Sequence, residues 1–225
     1  MKNLFLFVSF LCSVAAVAQV TEKREITPYT KINVTGSYAV ELVKNGGSTV
    51  TISGDEDAVA NTIIEVKGSE LKIEMKKNFQ SKSYKKLTVT VPVSTLTEAH
   101  ITGSASIDSD VVFTGNFNTS VTGSGKITLT VKATDAKASV TGSGSVTLKG
   151  SAAKLKCNVA GSGSLEASDF VCDNVNVEVA GSGSAHVYSK KEIVGSIAGS
   201  GDVTYAGDPT VNNVTVSGSG SFKKR

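Results

Sequence analysis

Tryptophan is absent from this chain, histidine occurs only at His100 and His186, and the only arginines are Arg24 and Arg225. Each scarcity removes a class of function. Without tryptophan, the aromatic platform of many sugar-binding modules would have to be built from the 5 tyrosines. Neither histidine has a cysteine or carboxylate at metal-ligand spacing, so no metal motif is present. With both arginines at the extremes of the mature chain, none can serve a central cleft. Charge is nearly balanced, at 23 basic against 20 acidic residues, which gives no general attraction for nucleic acid. The 3 prolines mark no linker. The nucleophile-elbow pattern G-x-S-x-G does not occur.

One long apolar run exists, Leu4 to Val17, at the N-terminus. Lys2 precedes it, and Ala16 and Ala18 stand at −3 and −1 of a cut before Gln19. Residues 1–18 are therefore expected to be a secretory signal peptide, too short and weakly flanked to span a membrane. Cys12 follows Phe10 and Leu11 rather than the small residues of a lipid-attachment signal. Cleavage leaves 207 of the 225 residues, with no further stretch able to cross a bilayer as a helix. The expected destination is the periplasm, the cell surface or the medium.

What the chain has in abundance is glycine, 22 residues of it. Gly-Ser-Gly begins at Gly123, Gly142, Gly161, Gly181, Gly199 and Gly218, and a degenerate Gly-Ser-Ala begins at Gly103. The intervals are 20, 19, 19, 20, 18 and 19 residues. A fixed beat of this length is the mark of a solenoid whose repeats stack on their neighbours. Two residues before each glycine stand Val121, Val140, Val159, Val179, Ile197 and Val216. Four before stand Ala138, Cys157, Val177 and Val214, with Thr119 and Gly195 as exceptions. Six before stand Phe117, Ala136, Leu155, Val175 and Ile193, with Asn212 breaking the column. After the corner the alternation resumes with Ile127, Val146, Leu165, Ala185, Val203 and Phe222. Apolar residues at every second position, many β-branched, describe strands with one buried face.

Each repeat thus reads as strand, tight Gly-Ser-Gly corner, strand and looser polar turn. Glycine suits the corner because it tolerates positive φ and close backbone approach. The serine column (Ser124, Ser143, Ser162, Ser182, Ser200, Ser219) is expected to stack at about 4.8 Å as a hydroxyl ladder. A phosphate-cradling loop would open a helix and occur once. Stacked coils make parallel strands, and parallel crossovers are overwhelmingly right-handed, so the expected fold is all-β, a right-handed parallel β-helix. Hexapeptide and calcium-binding nonapeptide beats are absent.

Residues 19–100 lose the beat but keep strand character at 38–43, 48–53, 62–66, 70–75 and 87–93. Asn45-Gly46-Gly47 and Lys67-Gly68-Ser69 are turn signals. Residues 55–61 suit one helical turn, and Val34-Thr35-Gly36-Ser37 looks like an imperfect early corner. Residues 19–100 are read as irregular coils that cap the solenoid, continuous with the regular repeats of 101–225. Lys76, Lys77, Lys82, Lys85 and Lys86, with Phe79 and Tyr84, form a basic segment read as a solvated loop. Cys157 and Cys172 fall in different columns, so a disulfide between them is allowed but not indicated by register.

With those residues in hand, the chain resembles the auto-transporter adhesin head GIN domain family of exported bacterial proteins. The resemblance covers essentially the whole mature chain. It rests on Ile32-Asn33-Val34, Tyr38-Ala39-Val40-Glu41-Leu42, Gly68-Ser69-Glu70-Leu71-Lys72-Ile73 and the serial Gly-Ser-Gly corners. It implies a β-helix similar in shape to pectin-lyase-like proteins but without their catalytic residues. The signal sequence and composition look like those of a Gram-negative source.

Outward acids Glu166, Glu178 and Asp202 are scattered over repeats and columns, unlike the clustered carboxylates of β-helix glycosidases. No catalytic, cofactor or metal residue is therefore assigned, and a non-enzyme is expected. Two classes stay open. The first is an adhesion or scaffolding module of the cell envelope, contacting a protein or glycan, with self-association left open. The second is a degenerate carbohydrate-active or polysaccharide-binding relative. A groove lined by tyrosine and carboxylates would favour the second; featureless Thr/Ser/Lys faces favour the first.

Overall fold

Short alternating apolar and polar runs punctuated by glycine become strands almost throughout the computed structural model, which describes residues 20–44, 47–79 and 87–225. The expected leader, Asn45 and Gly46 of one expected turn, and Lys82, Tyr84, Lys85 and Lys86 of the basic segment lie outside the described residues. In chain order come β1 (Val20–Glu25), β2 (Lys31–Gly36), β3 (Tyr38–Lys44), β4 (Thr49–Gly54) and the helix α1 (Glu56–Ala60). Then follow β5 (Thr62–Lys67), β6 (Glu70–Met75), β7 (Leu87–Val93), β8 (Glu98–Gly103), β9 (Ser106–Thr114) and β10 (Phe117–Gly123). Four long strands succeed them: β11 (Lys126–Gly142), β12 (Ser145–Gly161), β13 (Ser164–Gly181) and β14 (Ser184–Gly199). The last three are β15 (Asp202–Ala206), β16 (Thr210–Ser217) and β17 (Ser221–Lys224). Together they form a β-solenoid of about 7 turns with parallel coils of about 19 residues.

The register aligns the repeats glycine on glycine: Gly123 opposite Gly142, Gly142 opposite Gly161, and Gly161 opposite Gly181. The inward columns are the expected ones as far as Ile197, while Val216, expected in the same column, is 40 % exposed. Val121, Val140, Val159, Val179 and Ile197 are all 2 % exposed or less. The looser turn expected within each repeat is not a break in β11 to β14. In β11 the buried residues are Ile127, Leu129 and Val131, then Ala136, Ala138 and Val140. The inward positions skip from odd to even across residues 132–135. The strand therefore turns a corner while residues 126–133 and 135–142 stay paired to β12. From β11 to β14 only Gly-Ser-Gly interrupts the coil, whereas the flanking coils also break, between β9 and β10 and between β15 and β16.

That corner needs glycine at both ends for different reasons. Gly161 has φ +112°, a region L side chains avoid, and a Cβ there would meet the Gly142 carbonyl oxygen at 2.6 Å. A Cβ on Gly163 would sit 2.5 Å from Cγ1 of Val140 and 2.6 Å from the Gly144 carbonyl oxygen. The ladder that joins corners is made by the backbone rather than by hydroxyls. The Ser162 N–H donates to the Gly142 carbonyl at 2.9 Å, and the Ser143 and Ser182 N–H groups donate to Gly123 and Gly161 at the same distance. The serine side chains face outward and are exposed. The early corner at Gly36 belongs to this column: it has φ +119°, lies opposite Gly103, and accepts from the Ser104 N–H at 2.9 Å.

The N-terminal strands stack out of chain order. β2 lies between β8 on one side and β6 on the other, both parallel to it. β3 likewise lies between β9 and β7. The coil made by β6 and β7 is thus outermost although residues 31–44 precede it. Its edge is closed by antiparallel partners, β5 on β6 and β4 on β7, with β1 antiparallel on β4. The expected helical turn is α1, capped by Asp55, whose carboxylate accepts from the Ala58 N–H. Arg24 of β1 pairs with Glu22 at 2.8 Å and donates to the Val59 carbonyl at 3.0 Å, tying β1 to the end of that helix.

At the other end, β16 and β17 close the stack. Gly195, an exception in the apolar column, is explained there: a Cβ on it would lie 2.3 Å from the ring of Phe222. Phe222 packs on Tyr205 with ring centroids 5.5 Å apart, filling the space a side chain at 195 would take. Val211 and Val216 of β16 are 43 % and 40 % exposed.

Candidate functional site

The outward positions carry whatever this fold displays, because the interior is filled by side chains. Aligning coils on the glycine gives two outward columns, seven and five residues before it. They read Asn116 and Asn118, then Asp135 and Lys137, Lys154 and Lys156, Asn174 and Asn176, then Glu192 and Val194. Register pairs put Lys137 opposite Lys156, Lys154 opposite Asn174, and Asn174 opposite Glu192.

These side chains wall a groove that crosses the coils. One stretch of about 280 Å³ runs from Asp135 and Lys137 to Glu192 and Val194. A second stretch, lined by Thr97, Glu98, Asn116, Phe117 and Asn118, shares Asp135 and Lys137 with the first. Between the two columns the floor is sheet backbone at Phe117, Ala136, Leu155 and Val175, whose side chains turn into the core and are 4 % exposed or less. The Asn116 side chain accepts from the Asp135 N–H at 3.2 Å, bracing one wall. Lys156 pairs with Glu178 at 3.6 Å. Among the described residues, Lys137 and Lys154 make no ion pair.

Glu98, at one end of the groove, belongs to a polar relay over three coils. Lys31 pairs with Glu98 at 2.7 Å. Glu98 lies 3.1 Å from Nε2 of His100, and Nδ1 of His100 lies 2.7 Å from Oγ of Ser120. Its hydrogen bonds to Lys31 and then His100 hold the Glu98 carboxyl below its ordinary range. Sequence distance alone left a Ser-His-acid arrangement open, and here one is assembled. Its surroundings do not suit acyl transfer. Ser120 sits in mid-strand on β10, between β8 and β11, so neighbouring backbone N–H groups are spent on the sheet.

The other residues weighed from sequence stay apart. Glu166 accepts from the Ser168 N–H at 3.1 Å, Glu178 pairs with Lys156, and Asp202 accepts from Ser221. His186 contacts Thr204, its register partner on the next coil. Cys157 and Cys172 are free and buried. Burial pushes both thiols up, that of Cys172 to about 12. Among the described residues no three potential ligands gather for a metal, and no helix is long and apolar enough to cross a membrane. The groove residues escaped the sequence reading, although the count that found the apolar columns at two, four and six before the glycine would also have exposed columns five and seven.

The family described as "Putative auto-transporter adhesin, head GIN domain" matches residues 28–209. Solved structures show the same architecture. A putative adhesin from Bacteroides fragilis superposes with a TM-score of 0.87 at 21% identity, over 93% of this chain and 98% of that one. A putative adhesin from Parabacteroides distasonis gives 0.72 at 21% identity, over 92% and 97%. A putative lipid binding protein from the same species gives 0.66 at 24% identity, over 92% and 96%. No curated protein matches the chain.

Proposed function

Since the chain belongs to the head GIN domain family of auto-transporter adhesins, we propose that it is a non-enzymatic, exported module for adhesion or scaffolding at the cell envelope. The observation that carries this reading is the display of fixed outward columns on a rigid coil stack. Side chains at one position of every repeat recur at about 4.8 Å, held by the glycine-on-glycine register. Such a surface is preorganised, so a partner that binds it is spared the cost of ordering loops. Polysaccharide binding is a second reading, and the groove from Thr97 to Val194 favours it. The groove carries carboxylates and amides but no tyrosine, so it meets half of the criterion set for that class.

The test is a glycan array and an envelope pull-down with the purified protein, together with fractionation of the source cells. Retention of an envelope glycan or protein, with the chain found outside the cytoplasm, supports the reading. A cytoplasmic chain that retains nothing defeats it.

A further inference from the structure

We infer that the groove between residues 97 and 194 binds a linear acidic polysaccharide, whose anionic group sits on Lys137, Lys154 and Lys156. This rests on the envelope-contact reading and names the ligand class for it. Three features converge.

The first is charge placed against the interest of folding. Lys137 and Lys156 are direct register partners on adjacent coils, and like charges facing each other on one sheet face are destabilising. Lys154 lies two residues before Lys156 on the same face, and Asp135 fills the fourth corner. Among the described residues, only Lys156 of the three ammonium groups has a carboxylate partner, at 3.6 Å. Asp135 lies opposite Lys154 and offsets part of this charge; an anion seated on the cluster would relieve the repulsion left between Lys137 and Lys156.

The second is the flanking chemistry. The charged square lies between two pairs of amides, Asn116 with Asn118 on one side and Asn174 with Asn176 on the other. Amides both donate and accept, as sugar hydroxyls require. The third is pitch. The columns repeat at about 4.8 Å along the groove, a step of the same order as the sugar repeat of an extended polysaccharide. An extended peptide rises about 3.3 Å per residue and shows one face every second residue. It would fall out of step with the columns within a few coils.

Calorimetric titrations of the purified protein use four probes: polygalacturonate for carboxylate, dextran sulfate for sulfate, neutral dextran, and poly-glutamate as an acidic chain without sugar. Binding of either acidic glycan, weakened by salt, is expected, and which one binds more tightly identifies the anionic group. The double variant K137E/K156E is expected to bind about tenfold or more weakly. A control of equal charge change outside the groove, K126E/K149E, should bind like the parent. The inference is overturned if dextran or poly-glutamate binds as well as the acidic glycans, if the control loses as much as the groove variant, or if neither acidic glycan binds. Should neither bind while array or pull-down partners are retained equally by K137E/K156E, only this inference falls. Should nothing at all be retained, the adhesion reading falls with it.

Discussion

Between Glu98 and Gly199 each coil lies on the coil before it in the chain, whereas at the N-terminal end residues 70–93 lie outside residues 31–44. The two regions share one inward apolar surface but are specified differently. The regular stack is fixed by a column of corner glycines whose carbonyls accept from the next corner. The N-terminal end is fixed by pairing and by closure. β5 folds back on β6 through a turn at Gly68, and the outermost strand β1 carries Glu22, Lys23, Arg24 and Glu25 among its 6 residues. A charged edge resists further strand addition. A repeat can thus extend itself by register alone, while an end has to be built from irregular parts.

The largest effect should come from the shared core. Val159 is 1 % exposed and sits in the middle of the regular stack. Val159→Asp buries a charge without a partner, and a loss above about 4 kcal/mol is expected. Thr141→Lys, at an exposed outward position, should change stability by no more than about 0.5 kcal/mol. Thermal melts of both variants decide it. A Val159→Asp protein that melted like the parent would mean the inward face is wrongly assigned.

The second test separates the two regions through their glycines. Gly161→Ala combines φ +112° with a backbone oxygen at 2.6 Å from the new Cβ, so about 2–4 kcal/mol should be lost. Gly68, in the N-terminal hairpin, has φ +63° and nothing within 4 Å of a built Cβ. Gly68→Ala should cost only about 1 kcal/mol, the price of left-handed backbone. Equal losses would show that the stack does not depend on glycine for close approach.

This contrast also marks what was legible in the sequence. A period of 18 to 20 residues and apolar residues two, four and six before each glycine were enough to place coils, corners and the core. β3 to β7 could be read as strands, because each alternates or is rich in β-branched residues. β1 could not, since Val20-Thr21-Glu22-Lys23-Arg24-Glu25 has little apolar alternation. Nor could the order of stacking be read. Nothing local to Leu71 or Ile73 says that they pair with Ile32 and Val34 rather than follow them in the stack. The groove was missed for another reason: the glycine count places columns five and seven as well, but their residue types change from coil to coil, so no repeated residue marks them.

A smaller effect tests the junction between the regions, where Lys31 of β2 meets Glu98 of β8 at 2.7 Å. The Glu98 carboxyl is held below its ordinary value of 4.5, first by Lys31 and then by His100. The folded state therefore binds this proton less readily than the unfolded state. Its stabilisation is complete above about the ordinary value and is lost as pH falls through the lowered one. Glu98→Gln should accordingly melt below the parent at pH 7, by under about 1 kcal/mol for a partly exposed pair. The gap should close in acid. A gap that stayed constant with pH would point to packing at 98 rather than to the ion pair.

The smallest effect sharpens the account of the corner itself. If the ladder ran through hydroxyls, Ser162→Ala would cost about 1 kcal/mol, as a typical hydrogen bond does. Instead the Ser162 N–H donates to the Gly142 carbonyl at 2.9 Å, and alanine keeps that N–H. The side chain is exposed, and among the described residues no hydrogen bond joins one corner hydroxyl to another. Ser162→Ala should therefore shift stability by less than about 0.5 kcal/mol, and Ser143→Ala and Ser182→Ala should match it. Replacing all three at once should remain within about three times that amount, since sites that do not touch add independently. A cooperative loss in the triple variant would restore the hydroxyl ladder. One serine whose replacement abolished ligand binding without changing the melt would instead single out that corner as a site.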